Sequence, residues 1–335
     1  GVGRRVRPPR IHPRGAPGLR SSGAATLTPM TAPAIVATDL TKRYGAQRGV
    51  EDVTLTVERG ERFGFLGPNG AGKTTFIRLA LGLLHPQSGH VAVMGHDLAT
   101  QRLRALAEVG YVPGELTLYD HLNGRRTLEL LGRLHPRPPV LRGELLDVLG
   151  LSAADLRRAV RQYSRGMKQK LGLVAALQHD PPLAILDEPS GGLDPVVQLR
   201  LLEWLRDRAD RGMTVFLSSH VLSEVEALCD RVAMVRDGRL LPLHNVLELR
   251  LSALRNVTVR FAAPIGALAG VPGTEVVEVS ADGREHRMRL TGTPAPLLAR
   301  LAPLPVEDLV IAPLTLEDAV RTLYRGPAGS GEPPA

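Results

Sequence analysis

Residues 67–75 read GPNGAGKTT and satisfy the pattern G-x-x-x-x-G-K-T. The glycines let successive backbone N–H groups turn inward around phosphate oxygens, and the positive end of a following helix adds its dipole. Lys73 then reaches β- and γ-phosphates and Thr74 a magnesium ion. Gly67, Pro68, Asn69, Gly70, Ala71, Gly72, Lys73, Thr74 and Thr75 are therefore candidate phosphate-binding residues. The plainer alternative is an ordinary glycine turn ahead of a helix. Against it stands the context that the motif requires: the run RFGFL at Arg62–Leu66 reads as a strand, and Phe76–Leu84 has helical spacing with Pro86 as a stop.

A second chemical signal follows Leu183–Leu186, LAIL, a short apolar strand of the kind buried on both faces of a sheet. Asp187 at its C-terminal end lies where open α/β sheets bind ligands and can hold magnesium through water. Glu188 can orient or deprotonate an attacking water. The alternative is two acids in a surface turn. The strand TVFLSS at Thr214–Ser219 ends at His220. A lone histidine at a strand end is usually structural, but at the same sheet edge as Glu188 a neutral imidazole can hydrogen-bond a γ-phosphate or the attacking water. Tyr44, two strands ahead of the loop, can stack on adenine or simply pack.

The elements that must position these groups are legible as hydrophobic patterns. IVATDL and LTKRYG from Ala34, then Val53–Val57 and His90–Met94, read as strands. Residues from Gln101 to about Gln169 are helix-rich, with three- and four-residue apolar spacing in Leu122–Leu134 and Val140–Leu149. This stretch reads as a helical insertion between two parts of a parallel sheet, the alternative being a domain of its own. A short helix at Val221–Cys229, a strand at Arg231–Val235 and a turn at Asp237-Gly238 close the unit. The fold class is α/β: a phosphate-loop NTPase core with a mainly parallel sheet over residues 34–248, carrying an inserted helical subdomain at about 101–169. Residues 250–325 read as a small α+β domain without a catalytic constellation. Val257, Val259 and Phe261 alternate with polar residues, as do His286, Met288 and Leu290 after the Asp282-Gly283 turn, and Thr315-x-x-Asp318 starts a last helix to Tyr324.

The length of 335 residues suits two domains plus tails, and 43% hydrophobic residues suffice for their cores. Aromatic residues make up only 3%, so the cores should rest on Leu, Val and Ala, and a stacking surface for single-stranded nucleic acid is not expected. The single cysteine, Cys229, excludes an internal disulfide and fits a reducing compartment. The net charge of +8 is mostly local: residues 1–29 hold six arginines and no acid, which leaves +2 for the rest. Residues 1–33 thus read as a disordered basic leader, or as an upstream stretch with Met30 as the start, although a basic tail can also bind nucleic acid or anionic lipid. The leader has no apolar core of a secretory signal, and no apolar run reaches membrane-spanning length, so a soluble chain is expected. Residues 326–335, GPAGSGEPPA, read as a disordered tail.

One further segment, YSRGMKQ at Tyr163–Gln169, stands just before a helix and ahead of the Leu183 strand. With it, the chain over about Ile35–Leu240 resembles the ATP-binding-cassette (ABC) ATPases, whose signature is usually written LSGGQ. Ser164 and Gly166 match that signature, while Arg165 and Met167 depart from it. The resemblance implies ATP and magnesium as ligands. It makes Tyr44 the adenine-stacking aromatic, Gly67–Thr75 the Walker A loop, Asp187 the Walker B acid and Glu188 the catalytic glutamate. Gly192-Leu193-Asp194 is then the D-loop and His220 the switch histidine. It further implies that Ser164 and Gly166 face the γ-phosphate bound on an opposite subunit, in a homodimer or paired cassette sandwiching ATP.

The implied partner is an integral membrane permease, the place cytoplasmic and peripheral at the inner face of the membrane, and nucleic acid is not expected. The variant signature and VEDLVIAPLTLEDAV at 306–320 look most like stand-alone cassettes of bacterial drug-resistance and self-immunity exporters, which suggests export. One motif departs: after Gly110-Tyr111-Val112-Pro113 the chain reads Gly114-Glu115, where the family has a glutamine that touches magnesium and relays to the permease. A soluble cassette acting on ribosomes or DNA is the alternative, and those relatives usually carry two cassettes or long coiled-coil insertions. A phosphate-loop kinase would leave YSRGM and His220 unexplained.

Overall fold

The computed structural model describes residues 1, 32–45, 47–241, 244–245, 254–266, 268 and 270–313. The expected leader apart from residues 1, 32 and 33, the helix expected from Thr315 to Tyr324 and the tail 326–335 lie outside the described residues.

Strand β1 (Ile35–Tyr44) unites IVATDL and LTKRYG, with register shifts against β2 (Gln47–Val57) that let one strand run through Asp39, whose φ is 48°. Strand β3 (Arg62–Leu66) leads into the glycine loop and α1 (Lys73–Ala80). β4 (Ser88–Val93) and β5 (His96–Asp97) complete an antiparallel sheet in the order β2-β1-β4-β5. Next come α2 (Leu98–Leu106), capped by the Asp97 side chain, and β6 (Val109–Val112). Then follow α3 (Gly124–Arg133), α4 (Arg142–Leu149), α5 (Ala153–Arg157) and α6 (Arg165–Leu177).

The central sheet takes β7 (Leu183–Asp187), β8 (Thr214–Ser219) and β9 (Arg231–Arg236) together with β3 and β6. In the order β9-β3-β8-β7-β6 all five strands run parallel, and β10 (Arg239–Leu240) and β11 (His244–Asn245) pair antiparallel with β9. Every residue of β7 and β8 is buried, which is why these segments read as apolar runs and not as alternations. Helices α7 (Pro195–Asp210) and α8 (Leu222–Leu228) follow β7 and β8.

One reading from sequence is corrected. The stretch 101–169 is not one helical insertion, because β6 lies inside it and joins the central sheet against β7. The helical part begins after Pro113 and continues through α6 to Leu177. VGYV is too short to announce itself as a strand, and Gly110 is there because a Cβ would stand 2.5 Å from the Ala176 carbonyl oxygen and 2.7 Å from Pro181. Leu, Val and Ala supply most of the core, as expected, and the scarce aromatics gather at one place in it. Phe63, Phe65, Phe76 and Phe216, four of the five phenylalanines, stack on one another at centroid separations of 4.9–5.8 Å around the strand and helix that flank the glycine loop.

The C-terminal part forms its own antiparallel sheet from β12 (Leu254–Phe261), β13 (Thr274–Val279), β14 (Glu285–Thr291) and β15 (Val306–Pro313), in the order β13-β14-β12-β15. Val257 pairs with Met288 and Val259 with His286, so the alternating apolar residues of both strands share one face. Leu297 and Leu301 of α9 (Ala295–Leu301) join the same core. Among the described residues no helix is long and apolar enough to cross a membrane.

Candidate functional site

Parallel register brings the chemistry to one edge. Leu66 is level with Ser219, Asp187 with Ser218, and Val112 with Leu186, so the loops leaving β3, β8, β7 and β6 emerge together. Those after β3, β7 and β6 enclose a cleft of about 510 Å³ lined by the glycine loop, Asp187, Glu188, Gly114 and Glu115.

Gly72 caps α1 with φ 111°, and a Cβ there would stand 2.2 Å from the Gly49 carbonyl oxygen; only glycine allows that approach. Lys73 is buried, and its Nζ donates to the carbonyl oxygens of Gly67 at 2.6 Å and Pro68 at 3.3 Å. The same ammonium lies 3.5 Å from Glu188 Oε1. Tyr44, half exposed at the end of β1, reaches the loop through Gly49, whose Cβ position is 2.9 Å from Thr75 and 3.0 Å from the Tyr44 ring.

Asp187 is the last residue of β7 and is almost wholly buried. Its Oδ2 accepts from Thr74 Oγ1 at 3.0 Å, which joins the two side chains expected to share a metal. A hydroxyl and a carboxylate oxygen in contact form an all-oxygen donor set that suits magnesium. Glu188 has φ 49°, a left-handed conformation costly for a residue with a Cβ. Its N–H donates to the Ser218 carbonyl oxygen at 2.9 Å and its carbonyl accepts from Gly191 N–H at 3.2 Å, contacts that hold the turn. Glu188 Oε1 then meets His220 Nδ1 at 3.1 Å. Lysine, glutamate and histidine thus converge at one carboxylate oxygen.

Ser164 and Gly166 do not join this cleft in their own chain. Ser164 caps α6 by accepting from Met167 N–H at 3.2 Å, and is exposed. Gly166 lies so near the Gly192 carbonyl oxygen that a Cβ would stand 2.3 Å away. Asp194 caps α7 through Val197 N–H at 3.0 Å, and that hydrogen bond, ahead of the neighbouring Lys170, holds its carboxyl below the usual range.

Four residues escaped the sequence reading. Glu224, buried on α8, accepts from Ser219 Oγ at 2.9 Å, Gln198 Nε2 at 2.6 Å and Ser190 Oγ at 2.5 Å, so it ties the loops after β7 and β8 together. Gln169 Nε2 donates to the Pro189 carbonyl oxygen at 2.9 Å and fastens α6 to the loop beyond Glu188. Tyr111 lines the cleft, and burial, followed by the Asp187 carboxylate, raises its phenol above the ordinary value. Arg165 lines it too. In the sequence Tyr111 stands out only as part of Gly110-Tyr111-Val112-Pro113 and Arg165 only as a departure from the signature, and neither reads as lining the cleft.

A family model described as ABC transporter matches residues 50–191. The chain is 41% identical over 236 residues to an uncharacterized ABC transporter ATP-binding protein of Nostoc sp., covering 67% of this chain and 70% of that protein. It is 36% identical over 250 residues to the daunorubicin resistance ATP-binding protein DrrA3 of Streptomyces coeruleorubidus, covering 72% and 79%. A solved structure of the ATP-binding subunit of an ABC transporter superposes with TM-score 0.60 at 32% identity, covering 65% of this chain and 92% of that one.

Proposed function

The chain belongs to the ABC transporter family as an ATP-binding subunit that hydrolyses ATP, and from that premise we propose how its residues divide the work. Gly67–Thr75 cradle the phosphates, with Lys73 on the β- and γ-phosphates and Tyr44 stacked on adenine. Thr74, and Asp187 through water, would hold magnesium, and the Thr74–Asp187 contact of 3.0 Å supports the pairing. That ion, when bound, neutralises charge developing between the β- and γ-phosphates.

The observation that carries the catalytic reading is the meeting of Lys73 Nζ and His220 Nδ1 on Glu188 Oε1, at 3.5 and 3.1 Å. Glu188 orients the attacking water and takes its proton, while His220 holds the carboxylate and the water in line with the γ-phosphate. Ser164, Gly166 and Asp194 act across a subunit interface, in a homodimer or with a paired cassette sandwiching ATP. The catalytic unit is assigned to residues 34–248, and a small α+β domain to residues 250–325.

Hydrolysis drives a separate integral membrane permease, with the subunit in the cytoplasm against the inner face of the membrane. Export of a drug-like molecule fits the relative named for daunorubicin resistance. Nothing observed favours a ribosome- or DNA-directed cassette. In nucleotide-binding and turnover assays, Lys73→Ala should lose ATP binding. Glu188→Gln should bind ATP but turn it over roughly a hundredfold or more slowly, the range for losing a general base. Normal hydrolysis by the Glu188→Gln protein would overturn the catalytic assignment. Transport is tested by reconstituting the chain with a candidate permease in vesicles and following ATP-dependent drug movement.

A further inference from the structure

Arg165 occupies a signature position that resemblance assigns to glycine, and it faces the nucleotide cleft of its own chain. Its two signature neighbours, Ser164 and Gly166, are not in the cleft wall, whereas Arg165 stands there with Lys73, Thr74, Asp187 and Glu188. The stem of Arg165 lies along the loop that leaves Glu188. Its Cγ and Cδ are 3.4 and 3.6 Å from the Cβ position of Gly192, and its Nη2 is 4.0 Å from that of Gly191. That Gly191 position is in turn 3.4 Å from the Glu188 carbonyl oxygen. Two successive glycines leave room for the stem, and Ser164, by capping α6, fixes the backbone from which the arginine departs.

Among the described residues the side chain of Arg165 makes no hydrogen bond or ion pair, although carboxylates stand close by. Glu188 Oε1 is already met by Lys73 and His220, and Asp187 Oδ2 by Thr74. An exposed guanidinium with a packed stem and no protein partner, at the wall of a phosphate cleft, suits a phosphate oxygen, which its planar fork can bind in bidentate fashion.

We propose that Arg165 contacts the γ-phosphate of the ATP bound on the Lys73 loop of its own chain, as a cation supplied within the subunit and not by the facing one. The inference rests on the ATP site proposed above. Hydrolysis breaks the bond from Pγ to the β-bridging oxygen, forms one from Pγ to the water oxygen, and sends the proton of that water to Glu188; the arginine balances negative charge on the γ-oxygens and exchanges no proton. The role adds a contact made with ATP and not with ADP.

The test measures ATP and ADP affinity for the full-length Glu188→Gln protein, at dilutions where sizing shows a monomer, alone and combined with Arg165→Ala, Arg165→Met, Arg165→Lys or Lys73→Ala. Loss of a charge-assisted hydrogen bond should weaken ATP binding about tenfold in the Ala and Met variants. ADP affinity should stay within about twofold, and Lys should restore part of the ATP affinity, as expected for a point charge in place of a fork. Normal ATP affinity in Arg165→Met would show that the stem alone matters and would overturn the inference. So would equal weakening of ATP and ADP, or an effect that appears only in the dimer. Normal ATP binding by the Lys73→Ala variant would instead overturn the site itself.

Discussion

Gly114 opens the space beside Asp187 that a longer residue would occupy: a Cβ built there stands 3.5 Å from Asp187 Oδ2. Glu115, the next residue, is exposed and lines the same cleft. Thr74 and Asp187, proposed above to hold magnesium, remain in place, and waters can complete an octahedron, so hydrolysis should persist despite the absent glutamine. A carboxylate leaning in from Glu115 strengthens the hold on the cation and repels the γ-phosphate at once. Titration of ATPase activity against magnesium should therefore show a raised magnesium requirement in Glu115→Ala, while Gly114→Gln follows the parent curve or falls below it. Superimposable curves for all three proteins would limit this loop to coupling with the permease.

At the scale of elements, the active edge depends on loops held by helices that touch no nucleotide. Glu224 on α8 gathers Ser190, Gln198 and Ser219. Replacing it with leucine leaves three donors without their acceptor and should cost about 2–4 kcal/mol, since hydrogen bonds to charged groups are worth more than neutral ones. The expected readouts are a lower midpoint in urea and a reduced kcat with near-normal ATP affinity, because the loops of Glu188 and His220 lose their tie while the phosphate loop is untouched.

A second element-scale feature joins the ends of α3 and α6. His135 and His179 stack with ring centroids 3.4 Å apart, and burial, then the neighbouring His135, lowers the pKa of His179 to about 4. The unfolded chain, with an ordinary histidine, binds more protons than the folded one between about pH 6.5 and 4. Stability must therefore fall as pH drops through that window. The loss should be about 2 kcal/mol at about pH 5 relative to pH 7.5. His179→Phe, which keeps a stacked ring, should flatten that slope in urea unfolding at the two pH values.

For the whole molecule, the exposed signature serine outside its own cleft is what a two-subunit site requires. Ser164 and Gly166 sit at the start of α6, tied to the Glu188–Asp194 loop by the Gln169–Pro189 hydrogen bond and the 3.6 Å Lys170–Asp194 ion pair. Movement of either element is thereby felt by the other. In the Glu188→Gln protein, whose hydrolysis is slowed on the proposed assignment, ATP should convert a monomer into a dimer or a closed pair with a partner cassette. Size exclusion with and without ATP reads this directly, and a monomer in both conditions, even with the permease present, would count against the sandwich.

The amino-acid sequence by itself determined the phosphate loop, the apolar strand ending in Asp187-Glu188, the strand ending at His220 and the alternating strands of the C-terminal sheet. Each depends on local causes: glycines where backbone must approach phosphate or Gly49, a continuous apolar run where both faces are buried, alternation where one is. Tertiary structure decided which strand ends are neighbours. The order β3-β8-β7 puts His220 between the loop and Glu188, although Lys73 and His220 stand far apart in sequence. It also recruited VGYV as a sheet strand, gathered four phenylalanines against the loop's flanking elements, buried Glu224 as a shared acceptor and turned Arg165 toward the cleft of its own chain. None of these could be read locally, because each is a short or polar segment whose meaning comes from the backbone or side chain that the fold brings against it.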